Sequence, residues 1–313
     1  MDKELFPIIE SGPHQKSHAD TSWVMKQVIV SLLPAIGASL ILFRMKALVV
    51  IAACVTGAVL AELTAVHMRG RKSTLGDYSA LVTAVLLALV LPPATPFWCA
   101  FIGAVVAVFI GKHVFGGLGQ NVFNPALVGR AFLMASFPVI MTTWSAPFTL
   151  DALSSATPLA AWKFSGEFAS LGSLFVGVCG GCIGETSALA LMLGGAYLLV
   201  RKIGDWRAPL AMFLCTLLVS TVFFFIDSAN GSPLFHIFSG GYLFGLFFMV
   251  TDPVTSPMSK SGRYIFGGAI GVLVMIIRFW AGLPEGVMYS ILFMNAFVPI
   301  IDKLAKPKAF GRT

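Results

Sequence analysis

Residues 208–226 read APLAMFLCTLLVSTVFFFI, a stretch without an Asp, Glu, Lys or Arg. Wound into a helix at about 1.5 Å per residue, it comes close to the roughly 30 Å thickness of a bilayer's hydrocarbon core. Outward from it, comparable apolar runs bounded by Gly, Pro or charged clusters lie near 24–43, 47–66, 78–91, 97–113, 122–141, 170–200, 234–250, 264–281 and 285–302, which makes ten crossings. The expected fold is an all-α polytopic membrane protein. Composition agrees, because 57% of the 313 residues are hydrophobic and only 11% are charged, against about 25% charged in a soluble domain. The first apolar run begins only near Trp23, later and longer than a cleaved signal peptide, so it is expected to remain as a helix.

The run at 170–200 is too long for one simple span and contains Gly180, Gly181, Gly184 and Glu185, which predicts a broken or re-entrant helix facing protein rather than lipid. With the N-terminus in the cytoplasm, sixteen of the 21 Lys and Arg fall inside or at the inner border; Arg44, Lys46 and Lys163 fall outside, and Arg130 and Arg278 lie within spans. The net charge of +7 is thus read as topology, with both termini cytoplasmic in a bacterial inner membrane, and not as a nucleic-acid surface. The expected organisation is a cytoplasmic segment 1–23, a five-helix half 24–141, an external loop 142–169, a second five-helix half 170–302 and a cytoplasmic tail 303–313. Trp144 and Trp162 are placed as headgroup anchors of the loop.

Two internal echoes suggest an internal, inverted repeat. Gly76-Asp-Tyr-Ser-Ala-Leu81 opens the third run and Gly184-Glu-Thr-Ser-Ala-Leu189 lies in the sixth, where the chain crosses in the opposite direction. Asn124-Pro125 and Asp252-Pro253 precede the fifth and ninth runs, crossing in the same direction. The two echoes do not fit one simple repeat.

Two stretches and a set of acids within or bordering spans carry candidate chemistry. In the long external loop, Asp151-Ala-Leu-Ser154-Ser-Ala-Thr157-Pro158 has the Asp-x-x-Ser-x-Ala-Thr pattern of a flavin-transferase acceptor, in which the threonine hydroxyl takes the FMN phosphoryl group from FAD; the bland alternative is a turn with a helix cap. At the inner mouth of the fifth run, Gly116-Gly-Leu-Gly-Gln-Asn121-Val-Phe-Asn124-Pro125 offers close backbone approach and two amides suited to a flat heterocycle, against the plain reading of a glycine turn with Asn as cap. Arg130 follows, and an arginine inside a span costs about 2.5–3.5 kcal/mol on insertion scales and usually has a partner or a phosphate. Four acids border or enter spans: Glu62, read as a boundary residue off the face of His67; Asp77 and Asp252, read equally as caps; and Glu185, the strongest functional candidate of the four.

Together with Thr251-Asp-Pro-Val-Thr-Ser-Pro257, these stretches resemble the RnfD/NqrB family of flavin-carrying membrane subunits over about residues 20–300. The resemblance implies covalent FMN on Thr157, a non-covalent riboflavin for which Asn121 and Asn124 are the matching positions, and electron relay within an ion-translocating ferredoxin:NAD oxidoreductase. It also implies partner subunits holding iron–sulfur clusters and a second covalent FMN, and a flavin transferase for maturation. The long N-terminal extension of the quinone-reductase members is missing here. No residue is assigned as catalytic or metal-binding. Cys179-Gly-Gly-Cys182 alone is too few thiolates for a cluster and reads as packing. His14, His18, His67, His113 and His236 fall in no zinc spacing, and no Walker or Rossmann glycine motif is present. The alternatives are a small-solute channel or transporter of the urea-channel type, which has no use for the Thr157 loop, and the B subunit of a sodium-pumping quinone reductase.

Overall fold

The computed structural model describes residues 20–70, 74–148 and 156–306. Asp151 and Ser154 of the loop motif, and His14 and His18, lie outside the described residues, as do most of the segments 1–23 and 303–313. The described chain is helical: α1 (Thr21–Phe43), α2 (Met45–Met68), α3 (Ser79–Leu89), α4 (Phe97–Val108, prolonged by a π turn at Phe109–His113), α5 (Pro125–Ser136), α6 (Pro138–Met141), α7 (Pro158–Ser165) and α8 (Leu171–Val176). Then come α9 (Ala188–Val200), α10 (Arg207–Ile226), α11 (Pro233–Phe238), α12 (Tyr242–Phe244, prolonged by a π turn at Gly245–Met249), α13 (Lys260–Trp280) and α14 (Val287–Leu304). Every expected apolar run contains helix. α1, α2, α10, α13 and α14 are each long and apolar enough to cross a membrane, and the pair around Ser239, bent by 44°, makes a sixth. The runs at 78–91, 97–113, 122–141 and 170–200 hold shorter apolar helices. Large apolar side chains such as Leu218, Phe225 and Val200 stand exposed, as a surface solvated by lipid requires.

The short helices are the interior of the protein. α3 is buried along almost its whole length, and at about 1.5 Å per residue it reaches only halfway across a bilayer. Asp77 starts it, its Oδ1 accepting from Ser79 N at 2.8 Å and Ser79 Oγ at 2.6 Å, so capping accounts for this acid. At its far end the Leu89 and Leu91 carbonyls accept from Gly184 N (2.7 Å) and Ile183 N (3.0 Å). The broken sixth run therefore supplies the amides that end α3, satisfying backbone groups that lipid could not. The break is real: α8 ends at Gly177, with φ +103°, and α9 begins at Ala188.

Packing repeats across the molecule. α2 lies most extensively on α4, and α10 on α13. Glycines set both seams: a Cβ at Gly57 would stand 2.6 Å from the Phe101 carbonyl oxygen, and one at Gly271 2.5 Å from that of Met212. α3 is enclosed by α1, α2, α4 and α5, while α12 and its π turn are enclosed by α9, α10, α11 and α14. The units meet where α1 touches α9 and α5 touches α14. In these terms α3 and α12 are counterparts running in opposite directions. The first sequence echo opens two oppositely directed helices, as expected, but those helices are α3 and α9, so the echo and the packing repeat do not coincide. In the second, Asn124-Pro125 opens α5, whereas Asp252 caps a turn, accepting from Val254 N (3.1 Å) and Thr255 Oγ1 (3.0 Å), and α13 begins later with Ser259 as its cap.

Candidate functional site

Thr157 is half-buried and is the N-cap of α7, its Oγ1 accepting from Ala160 N at 3.2 Å. Pro158 follows at the first helical position, where its missing N–H is no loss. α7 is pinned by two anchors. Trp162 is buried against Phe235, His236 and Phe279 and donates Nε1–H to the Ala229 carbonyl at 3.0 Å; this corrects its placement as a headgroup anchor. Lys163 donates to the carbonyls of Arg278 (2.7 Å), Leu283 (3.0 Å) and Ala281, so this lysine closes the C-terminus of α13. Thr157 thereby opens on a cleft of about 480 Å³ whose walls include Trp144, Cys182, Glu185, Gly240 and Glu285.

The floor of that cleft is ionic. Arg130 of α5 is buried and donates Nη1–H to Glu185 Oε1 (2.9 Å) and Nη2–H to Glu285 Oε2 (2.8 Å), with Cys182 Sγ 3.4 Å from Nη2. The arginine inside the span thus has the partner its position demands, and Glu185 is one of two. Glu285 Oε1 also accepts from Gly241 N at 2.7 Å, at the bend between α11 and α12. Arg278, fully buried, caps α11 by donating to the Ser239 carbonyl (3.1 Å) and the His236 carbonyl, and lies 5.7 Å over the Tyr242 ring. Both helix breaks therefore converge on one charged centre, and the two cysteines pack within it: Cys182 beside Arg130 and Cys179 facing the Thr186 carbonyl.

At the other end of α5 is a second cavity, of about 800 Å³, walled by Ser79 and Thr83 of α3, Lys112, Asn121, Asn124 and the Thr251-Asp252-Pro253 turn. Asn124 Oδ1 accepts from Ala126 N (3.1 Å) and Leu127 N (3.4 Å), so its oxygen is the cap of α5, in line with the plain reading, and only Nδ2 is left for an occupant. Asn121 Nδ2 donates to the Phe123 carbonyl at 3.2 Å. Asn124 at the start of α5 thus lines one cavity and, six residues on and about 9 Å along the axis, Arg130 holds the two glutamates that line the other. Beside this cavity Glu62 is fully buried: Lys112 Nζ lies 2.9 and 3.0 Å from its oxygens and 2.6 Å from Ser79 Oγ, His113 Nε2 lies 2.8 Å away, and Thr74 completes the shell. Among the described residues no group of His, Cys, Asp and Glu has the arrangement of a metal site.

The model of the NQR2, RnfD, RnfE family matches residues 8–311. The chain belongs to this family. Among its relatives, the D subunit of the Na(+)-translocating ferredoxin:NAD(+) oxidoreductase complex of Acetobacterium woodii is 42% identical, covering 99% of this chain and 97% of the relative. The D subunit of the proton-translocating ferredoxin:NAD(+) oxidoreductase complex of Clostridium ljungdahlii is 41% identical with the same coverage. The D subunit of the ion-translocating oxidoreductase complex of Stutzerimonas stutzeri is 41% identical over 92% of each. For a member of the family, the charged centre beneath Thr157 is the part sequence reasoning left incomplete. Glu285 was not among the acids singled out, although it borders the last run and Arg130 called for a partner. The Gly240-Gly241 break also lay unread inside an apolar run.

Proposed function

We propose that this chain is the D-type membrane component of a ferredoxin:NAD⁺ oxidoreductase that translocates Na⁺ or H⁺, with FMN esterified to Thr157 and riboflavin held at Asn121 and Asn124. The observation that carries the reading is the position of Thr157: it lines a cleft, at the N-terminus of an anchored helix. In the attachment step, Oγ1 would attack the FMN phosphoryl of FAD in a flavin transferase, losing its proton as AMP departs. The phosphodiester would then sit at the positive end of α7, where an anion is stabilised by roughly 0.3–1 kcal/mol. Bound flavins supply one-electron transfer. The chain's part is to hold them: Trp144 and the apolar Pro158 and Leu159 wall the cleft on the Thr157 side, and the other cavity combines apolar walls with few polar groups, the lining usual in ligand sites. The iron–sulfur carriers and a second FMN would lie on partner subunits of the complex, and the exposed apolar belt would meet lipid and those partners.

Orientation follows from the division of basic residues, with both termini cytoplasmic and the Thr157 cleft outside. In a variant without native cysteines, a thiol introduced at the exposed Ser165 should react with an impermeant reagent added to intact cells. Reaction only after the membrane is broken would reverse the topology.

The riboflavin placement has its own test. Asn124→Ser retains an oxygen able to cap α5 but lacks the amide donor, whereas Asn124→Ala loses both, with about 1 kcal/mol of helix stability. Riboflavin released by acid from the purified complex should fall in both variants, while thermal stability should fall mainly in the alanine variant. Undiminished riboflavin in Asn124→Ser would remove this residue from the site.

A further inference from the structure

Glu185 alone suffices to neutralise Arg130. Both groups are nearly enclosed, with 4% side-chain exposure each, and they meet at 2.9 Å. Glu285 is a second carboxylate on the same guanidinium, and its position differs. Its side chain is 21% exposed and lines the Thr157 cleft. Both of its oxygens are fixed, one by Arg130 Nη2 at 2.8 Å and the other by Gly241 N at 2.7 Å. The break in the chain makes room for it, since a side chain at Gly241 would collide with both Glu185 and Glu285. The remaining charge of the group, Arg278, lies behind the break, fully buried on carbonyl oxygens. The four charges balance in number but not in depth, and the one nearest the open cleft is negative.

We infer that Glu285 is a positioning charge that lowers the redox potential of a carrier in the Thr157 cleft, because a fixed carboxylate at its wall opposes the arrival of an electron. The inference rests on the proposed attachment of FMN to Thr157. A charge held by the protein in a site partly shielded from water acts more strongly than one in solvent, and a carboxylate tied at both oxygens cannot swing away when the electron arrives. The step itself is the reduction of the carrier by one electron from a one-electron donor, with no bond made or broken in this chain. Glu185, deeper on the same guanidinium, acts in the same direction.

The test is a potentiometric titration of the purified, flavin-loaded complex with redox mediators. The component belonging to this site is identified as the one missing from a Thr157→Ala complex. Glu285→Gln, which keeps the shape and an acceptor for Gly241 N, should move that component to a more positive potential. At the wild-type midpoint the ratio of reduced to oxidised carrier should rise about tenfold, which is about 59 mV for one electron. Glu285→Asp, which keeps the charge and alters the geometry, should stay near the wild-type value. An unmoved component in Glu285→Gln, or an equal shift in Glu285→Asp, overturns the inference while leaving Thr157 as the attachment residue. If Glu285→Gln does not assemble, Glu185→Gln takes its place with the same expected sign, and an unmoved component there overturns it equally. If Thr157→Ala lacks no component, the attachment reading fails and the inference fails with it.

Discussion

Thr157→Ala should remove all ultraviolet fluorescence from the 33.3 kDa band on a denaturing gel while the chain still reaches the membrane and assembles. The substitution deletes the acceptor oxygen and one helix cap, a loss of about 1 kcal/mol. α7 stays docked because Trp162 and Lys163 hold it independently of Thr157. Thr157→Ser keeps both an acceptor oxygen and a capping oxygen, so its band should remain fluorescent, with attachment less complete for want of the methyl. Electron transfer from ferredoxin to NAD⁺ through the assembled complex should fall sharply in the alanine variant, since a carrier is missing from the relay. A fluorescent alanine band would show attachment elsewhere.

Arg130→Met should destabilise the protein by about 3–5 kcal/mol, the usual consequence of leaving buried carboxylates without their cation. Glu185 cannot turn to solvent, and Glu285 is held at Gly241 as well. The effect should appear as a lower unfolding temperature in detergent and as a less defined Thr157 cleft, because Arg130 is the tie between α5, the 177–187 break and the segment before α14. Combining Arg130→Met with Glu185→Gln and Glu285→Gln removes the uncompensated charges, and most of the lost stability should return. A single variant as stable as the wild type would mean that the pairing contributes little and that packing alone closes the centre.

The helical skeleton was legible because lipid forces each apolar run to satisfy its own backbone. The break at 177–187 was legible too, since glycines and Glu185 interrupt an overlong apolar run. Arg130 announced its need for a partner by its cost in a span. The identity of the second partner was not legible: Glu285 is 155 residues away, and no local periodicity links positions so distant. The paired burial of Glu62 was not legible for a similar reason. Its partners Lys112 and His113 come from the π turn after α4, so its burial depends on helix packing and not on its own helix face. Trp162 reads as an interfacial ring by composition and becomes a core residue only when α7 folds back onto α11 and α13. Asn124 shows the opposite case, where the plain reading as a cap holds and any binding role must use the amide nitrogen left over.

The most direct measurement of the central claim is peptide mass mapping of this chain from the native complex. Cleavage after Arg130 and Lys163 yields the segment 131–163, which contains Thr157. The account predicts that this segment carries the mass of one FMN less one water, with fragmentation placing it on Thr157. A flavin-loaded complex in which the segment has its unmodified mass, or bears the adduct on another residue, would contradict it.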